Sequence, residues 1–189
     1  GDATARVWVD DAQAPARERA AAAGLTPGTD ADLAAADVVF SSLTDDAALR
    51  AVAARVAARA RRGAIYVDTS TVSVAASSAA AAICADAGIE CVRATVSGNN
   101  HMAEAAQLTV MASGPRPAYE RVAPLLRALG PTQFYLGEGE QARLMKLVVN
   151  LMIAQTSAML AEALTLGAKG GLDWPAMWDV LTASAVASP

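Results

Sequence analysis

Short runs of β-branched and aromatic residues alternate with longer stretches of alanine and charge over the first two thirds of the chain. Residues 5–9, 38–43, 64–68, 90–96, 108–112 and 132–136 read as strands, bounded by Asp, Ser, Asn or Gly. Residues 15–23, 29–36, 45–62, 73–87 and 119–129 read as the helices between them. Pro15 sits in a first turn, Thr29 or Asp30 caps the second helix, and Gly24, Gly63 and Gly88 close helices. Strands of about five residues alternating with helices of about ten to fifteen predict an α/β fold with a mostly parallel sheet of Rossmann type. Beyond Gly137 the pattern changes. Residues 140–169 read as one long helix ended by Gly170-Gly171, and Asp173 caps another with Pro175 in its first turn. Two domains follow: 1–137, a Rossmann-like sheet domain, and 138–189, the start of an all-helical domain. The helical part is too short to close a core of its own.

Composition refines this picture. Hydrophobic residues make up 54% of the 189, yet aromatics only 4%. About a quarter of the chain is alanine, which favours helix but buries little area, so close-packed Ala-rich helices are expected. The net charge of −4 argues against nucleic acid and against anionic membrane surfaces as partners. Cys84 and Cys91 are a poor disulfide framework and fit a reducing, cytoplasmic setting as small buried residues. The first residues carry no signal-peptide pattern. The most apolar stretch, 144–168, contains Lys146, Asn150, Gln155 and Glu162, polar residues that argue against a membrane span. His101 is the single histidine and reads as a loop residue, and no Cys/His spacing points to a metal.

In an open α/β sheet, ligands bind beyond the carboxyl ends of the strands. Four polar clusters fall there: Asp10-Asp11, Ser42-Leu43-Thr44, Asp68-Thr69-Ser70-Thr71 and Ser97-Gly98-Asn99-Asn100. Each could equally be a helix cap or a turn; together they outline a ligand edge. Ser97-Gly98-Asn99 is either a strand-end turn or a place where amide N–H groups converge on a carboxylate or phosphate. Lys146 and Asn150 share one face of an apolar helix. That lysine either reaches solvent or, partly buried, acts as a general acid or base. The Gly-x-Gly-x-x-Gly turn of a dinucleotide-binding domain does not occur in these residues, and residues 5–9 read as the second strand of such a domain. The sequence therefore reads as part of a longer protein, one that alone would bind dinucleotide poorly.

An ordered set of segments carries a resemblance. Asp68-Thr69-Ser70-Thr71-Val72-Ser73, Val96-Ser97-Gly98, Leu108-Thr109-Val110-Met111-Ala112-Ser113-Gly114, Gly137, Lys146-Leu147-Val148-Val149-Asn150, Glu162-Ala163-Leu164 and Lys169-Gly170-Gly171-Leu172-Asp173 follow one another at matching spacing. The chain resembles the β-hydroxyacid dehydrogenase family, the group of 3-hydroxyisobutyrate and 6-phosphogluconate dehydrogenases. The resemblance implies a Rossmann-type domain, a long interdomain helix and a helical dimerisation domain. It implies NAD, with NADP possible, and hydride exchange with a small 3-hydroxy acid or the matching semialdehyde. By position, Lys146 matches the catalytic lysine, Asn150 its substrate-binding neighbour, and Ser97, Gly98 and Asn99 the substrate-carboxylate loop. Leu43 and Thr44 match the loop over ribose and pyrophosphate, and Ser70 and Thr71 the loop beside the nicotinamide. Asp10 and Asp11 end what reads as the second Rossmann strand, where an acidic residue either accepts from the ribose hydroxyls of the cofactor or only caps the next helix.

The departures are specific. Arg93-Ala94-Thr95 stands where the family commonly has Asp-Ala-Pro, Asn99 replaces a glycine, and Glu140 and Ala142 occupy positions where glycines are usual. An imine reductase on the same scaffold, or a non-catalytic binding or assembly protein, are the rival readings. A homodimer or larger homo-oligomer is expected, because the helix from residue 140 onward is apolar on more than one face.

Overall fold

The computed structural model describes residues 6–184 and 186. A pair of two-residue strands, β1 (Trp8–Val9) and β2 (Thr26–Pro27), forms a small parallel sheet around α1 (Ala14–Ala22). Then come α2 (Asp30–Ala35), β3 (Val38–Ser41), α3 (Asp46–Arg59), β4 (Ile65–Asp68), α4 (Val74–Asp86), β5 (Glu90–Ser97), α5 (Asn100–Glu104), β6 (Thr109–Ser113), α6 (Arg116–Leu126) and β7 (Thr132–Tyr135). The chain continues with α7 (Gln141–Lys169) and α8 (Trp174–Ala183). The main sheet runs β3-β4-β5-β6-β7, parallel throughout except for the antiparallel β5–β6 pair. The expected α/β fold with a mostly parallel sheet is therefore the observed one.

Strand alternation sorts the core into two layers. Tyr66 and Ile89 face α3 and α4, where Leu49, Ala53, Val56, Ala76, Ala80 and Cys84 complete the packing. Ile65, Val67, Val92, Ala94, Val110 and Ala112 face α6, against Ala118, Val122 and Leu126. Alanines at the helix contacts let α3 and α4 approach closely, as the composition implied.

Several elements differ from expectation. The first strand is only Trp8–Val9; the expected residue Ala5 lies outside the described residues. It pairs with Thr26–Pro27, which carries no strand signal because proline lacks the ladder donor. Thr29, not Asp30, caps α2, in a reciprocal capping box with Asp32. The third helix stops at Arg59, short of residue 62. α5 was not expected at all: Asn99 caps it, and five residues are too few to show a helical period. α6 starts at Arg116, with prolines at both ends of its sequence, Pro117 and Pro124.

The described residues form two compact units, one ending at Lys146 and the other beginning at Leu147, within the continuous helix α7. In the second unit Gly167 lets Met177 of α8 close onto α7: a Cβ there would lie 2.2 Å from the Met177 sulfur. By length and composition α7 also qualifies as a membrane-crossing helix, with a mean hydropathy of 1.5 over its most apolar stretch. The first turn of α7, ahead of residue 144, is tied by side chains to the sheet.

Candidate active site

The register of the main sheet sets a row of polar residues side by side across four strands. Ser41 of β3 stands opposite Asp68 of β4, Asp68 opposite Arg93 of β5, and Arg93 opposite Ser113 of β6. The start of α7 docks on this row. Arg143, fully buried, donates to an Asp68 carboxylate oxygen and to the Ser70 carbonyl. Arg93 pairs with Glu140 just before the helix. The Ser113 hydroxyl donates to the Gly139 carbonyl at 2.8 Å and accepts from the Ala142 N–H at 3.1 Å. Thr95, next on the same face of β5, donates to the Ala142 carbonyl at 3.0 Å. Two closed ion pairs thus lie under the first turn with no net charge.

Asp68 is the hub of this arrangement. Its Oδ1 accepts from the Ser41 and Ser70 hydroxyls, each at 2.6 Å, while Oδ2 receives Arg143. Ser41 in turn sits 2.7 Å from the Tyr66 hydroxyl, whose pKa burial pushes up. Ser70 also accepts the Leu43 N–H at 2.8 Å, and Thr69 donates twice to the Ser41 carbonyl. One turn onward Ser73 caps α4 and donates through both N–H and Oγ to Asp46, which holds the Asp46 carboxyl below its usual range. The loops after β3 and β4 are therefore cross-bonded into one rigid edge.

The predicted residues occupy this edge in different ways. Leu43 is half-buried and Ser70 buried, both within the network, whereas Thr44 and Thr71 are exposed beside it. Ser97 ends β5 on the face shared by Arg93 and Thr95. Gly98 follows at φ +145°, and a Cβ there would lie 2.6 Å from Leu108, so glycine is required for the turn. Asn99 is extended, at φ −113°, and its Oδ1 accepts from Met102 N–H. Its backbone does not join Gly98 in the left-handed geometry that would aim successive amides at an anion, and its side chain serves as a cap. Lys146 is half-buried; no carboxylate among the described residues pairs with it, and burial holds its pKa below the ordinary lysine value. Asn150, one turn later, is half-buried.

Asp10 and Asp11 fall outside this network. Asp10 pairs with Arg55 at 2.7 Å, and Arg55 also bonds Asp30 at 2.8 Å. Asp11 accepts the Gln13 N–H at 2.7 Å, at the start of α1. Sequence reasoning missed Arg143, Arg93 and Glu140 as site residues. The available signal was an arginine three positions before Lys146 on an apolar helix, where burial demands a partner.

Two cavities lie among the described residues, neither lined by a residue expected to bind cofactor or substrate. One of about 10 Å³, bounded by Tyr66, Asp68, Ser77, Arg93 and Arg143, has room for a single water. The other, about 390 Å³ and open, lies by Gly88, Glu90, Cys91, Pro115 and Glu138.

A family model described as the NAD binding domain of 6-phosphogluconate dehydrogenase matches residues 2–137, and one described as NAD-binding of NADP-dependent 3-hydroxyisobutyrate dehydrogenase matches residues 140–189. Glyoxylate/succinic semialdehyde reductase 2 of Arabidopsis thaliana is 40% identical over 66% of this chain, which spans 35% of that protein. Cytokine-like nuclear factor N-PAC of Mus musculus is 30% identical over 98% of the chain and 33% of its own length. The chain thus spans about a third of these curated relatives. The solved 3-hydroxyisobutyrate dehydrogenase of Mycobacterium tuberculosis with L-serine superposes at TM-score 0.81, with 28% identity, over 93% of this chain and 61% of that one.

Breaking the Asp68–Arg143 pair from one side should be costly. Asp68→Ala leaves a buried guanidinium uncompensated and should lower unfolding free energy by about 3–5 kcal/mol, read from urea denaturation. A loss below about 1 kcal/mol would mean that solvent reaches Arg143.

Proposed function

The chain belongs to the β-hydroxyacid dehydrogenase family, an NAD(P)-binding family, and on that premise we propose that it is part of an oxidoreductase acting on a small 3-hydroxy acid or the matching semialdehyde. The observation that carries this reading is Lys146: a half-buried amine with a depressed pKa, on the helix whose first turn docks on the strand-end edge. Residues 1–137 act in this reading as the cofactor domain and 138–189 as the start of the helical domain.

The residues present fit the nicotinamide end of the cofactor. Thr44 and Thr71 leave their hydroxyls exposed on an edge whose backbone is fixed by Ser70, Asp68 and Asp46. Leu43-Thr44 would lie against the ribose and Ser70-Thr71 beside the nicotinamide, which when bound supplies the hydride chemistry. Ser97 and the Gly98 turn would hold the substrate carboxylate, Asn99 stabilising that turn through its cap. Asn150 would orient the substrate hydroxyl. Lys146 Nζ would take the hydroxyl proton in oxidation and return it in reduction. The lowered pKa serves both directions, since it brings the amine and ammonium forms closer to balance near neutrality. Two free thiols, Cys84 and Cys91, fit the cytoplasm.

In the complete protein, Lys146→Met should cut turnover about 10²- to 10⁴-fold in a nicotinamide absorbance assay with hydroxy acids, semialdehydes and imines, leaving cofactor affinity nearly unchanged. In the wild type, oxidation should quicken as pH rises through the Lys146 pKa and reduction should slow, because the first needs the amine and the second the ammonium. A mutant keeping half its turnover sinks the assignment of Lys146. The second reading, a binding or assembly protein, draws on the likeness to N-PAC, named as a nuclear factor rather than an enzyme. Wild-type protein that binds cofactor but turns over nothing in the panel favours it; turnover of imines alone favours an imine reductase.

For the cofactor we favour NAD. Asp11 has no ion pair among the described residues, and Arg55 is already held by Asp10 and Asp30. A 2′-phosphate there would meet the unpaired Asp11 carboxylate, and the guanidinium bonded at that turn, Arg17, is engaged by the Asp11 carbonyl. Comparing kcat/KM with the two cofactors decides it, and a preference for NADP overturns the claim.

The second unit exposes Leu151, Met152, Ile153, Met159 and Leu166 along α7, and Trp174, Trp178 and Val180 on α8. Apolar surface of that extent is buried by further protein, and we assign at least part of it to a second copy. Sedimentation at micromolar concentration should give a dimer or larger; a monomeric mass contradicts this.

A further inference from the structure

We propose that Arg143, through its buried pair with Asp68, is the positioning residue for Lys146, fixing the first turns of α7 against the Ser70–Thr71 loop. This rests on the proton-transfer role assigned to Lys146. Arg143 and Lys146 are three residues apart on one helix, so locking the first sets the rotation and height of the second. The lock is specific. One guanidinium reaches both the Asp68 carboxylate and the Ser70 carbonyl, while the same Ser70 holds Leu43 through its hydroxyl.

Packing alone does not call for an arginine here. A buried ion pair is commonly no better for stability than apolar side chains of similar volume. Arg143 also leaves its Nε without a partner, a further cost. What the pair adds is a fixed geometry, because a planar fork accepts few orientations on a carboxylate that two serines already hold. Apolar residues in its place would let α7 turn or slide over the sheet. The charged groups around this part of the helix include Asp68, Arg93, Glu140 and Arg143, joined in two pairs, and Asp46, within electrostatic reach of Arg143.

The test uses the intact protein and needs no substrate. Reductive methylation with ¹³C-formaldehyde labels the lysines for titration by NMR, and the signals of Lys146 and Lys169 are assigned by their loss in Lys146→Arg and Lys169→Arg. Three variants are compared: Arg143→Lys, Arg143→Met and Asp68→Asn. Release of the helix should raise the Lys146 pKa toward its ordinary value in all three, with exposed Lys169 unmoved as the control. Loss of charge alone predicts otherwise: Arg143→Lys would leave Lys146 unchanged and Asp68→Asn would lower it further. Either of those results overturns the proposal. Arg143→Lys, which keeps a cation for Asp68, carries the test if the harsher variants do not fold.

In the turnover assay the Lys variant should lose up to about 100-fold in kcat, with cofactor KM within about threefold of wild type. An unchanged kcat in an Arg143→Lys protein whose Lys146 titration has moved would also overturn it. Failure of the functional reading is separate: there Lys146→Met keeps its turnover, or wild type has none, whatever the titration shows.

Discussion

Everything at the carboxyl edge of this sheet depends on burying one carboxylate, Asp68, at the end of a central strand. A buried carboxylate must be paired and hydrogen-bonded or it will not stay ionised. Its three partners, Ser41, Ser70 and Arg143, come from β3, from the loop after β4 and from α7. Satisfying Asp68 therefore joins segments separated by up to 75 residues in the chain. Asp68 thereby ties the loops after β3 and β4 to the first turn of the helix that carries Lys146.

This arrangement explains how an alanine-rich chain with few aromatics specifies one geometry. Its apolar layers, built from Ala53, Ala76, Ala80 and small β-branched residues, present smooth surfaces that could slide. Polar bonds supply the register. Asp45 and Ser73 cap α3 and α4, Asp46 links the two caps, and the row from Ser41 to Ser113 fixes α7. Each bond contributes modestly in net terms, but each buried group is expensive to leave unpaired. The alternatives are thus disfavoured more than the native state is favoured.

The sheet-and-helix alternation was readable because strand and helix periods differ and because Gly63, Gly88 and Asp45 punctuate them plainly. Asp68, Ser70 and Thr71 could be picked out as a strand-end cluster for the same reason. Arg143 could not: its partner is remote in sequence, and an arginine on a helix usually faces solvent. Asp10 stands at a strand end, and its carboxylate pairs with Arg55, 45 residues on, a contact that sequence spacing does not reveal. Asn99 was legible as a turn former, and the structure uses its side chain to cap a helix too short for any pattern to reveal.

The departures from the family pattern find each other in space. Arg93 stands where an aspartate is common and Glu140 where a glycine is usual, and these two form an ion pair. Thr95 replaces a proline and Ala142 a glycine, and the Thr95 hydroxyl bonds the Ala142 carbonyl. Proline has no side-chain donor for that carbonyl, and an aspartate beside Glu140 would repel it. Arg93 and Glu140 are each poor alone and acceptable together, so these two are best understood as one exchange. The exchange leaves Asp68, Ser70 and Arg143 undisturbed and moves charge onto the face of β5 that ends at Ser97.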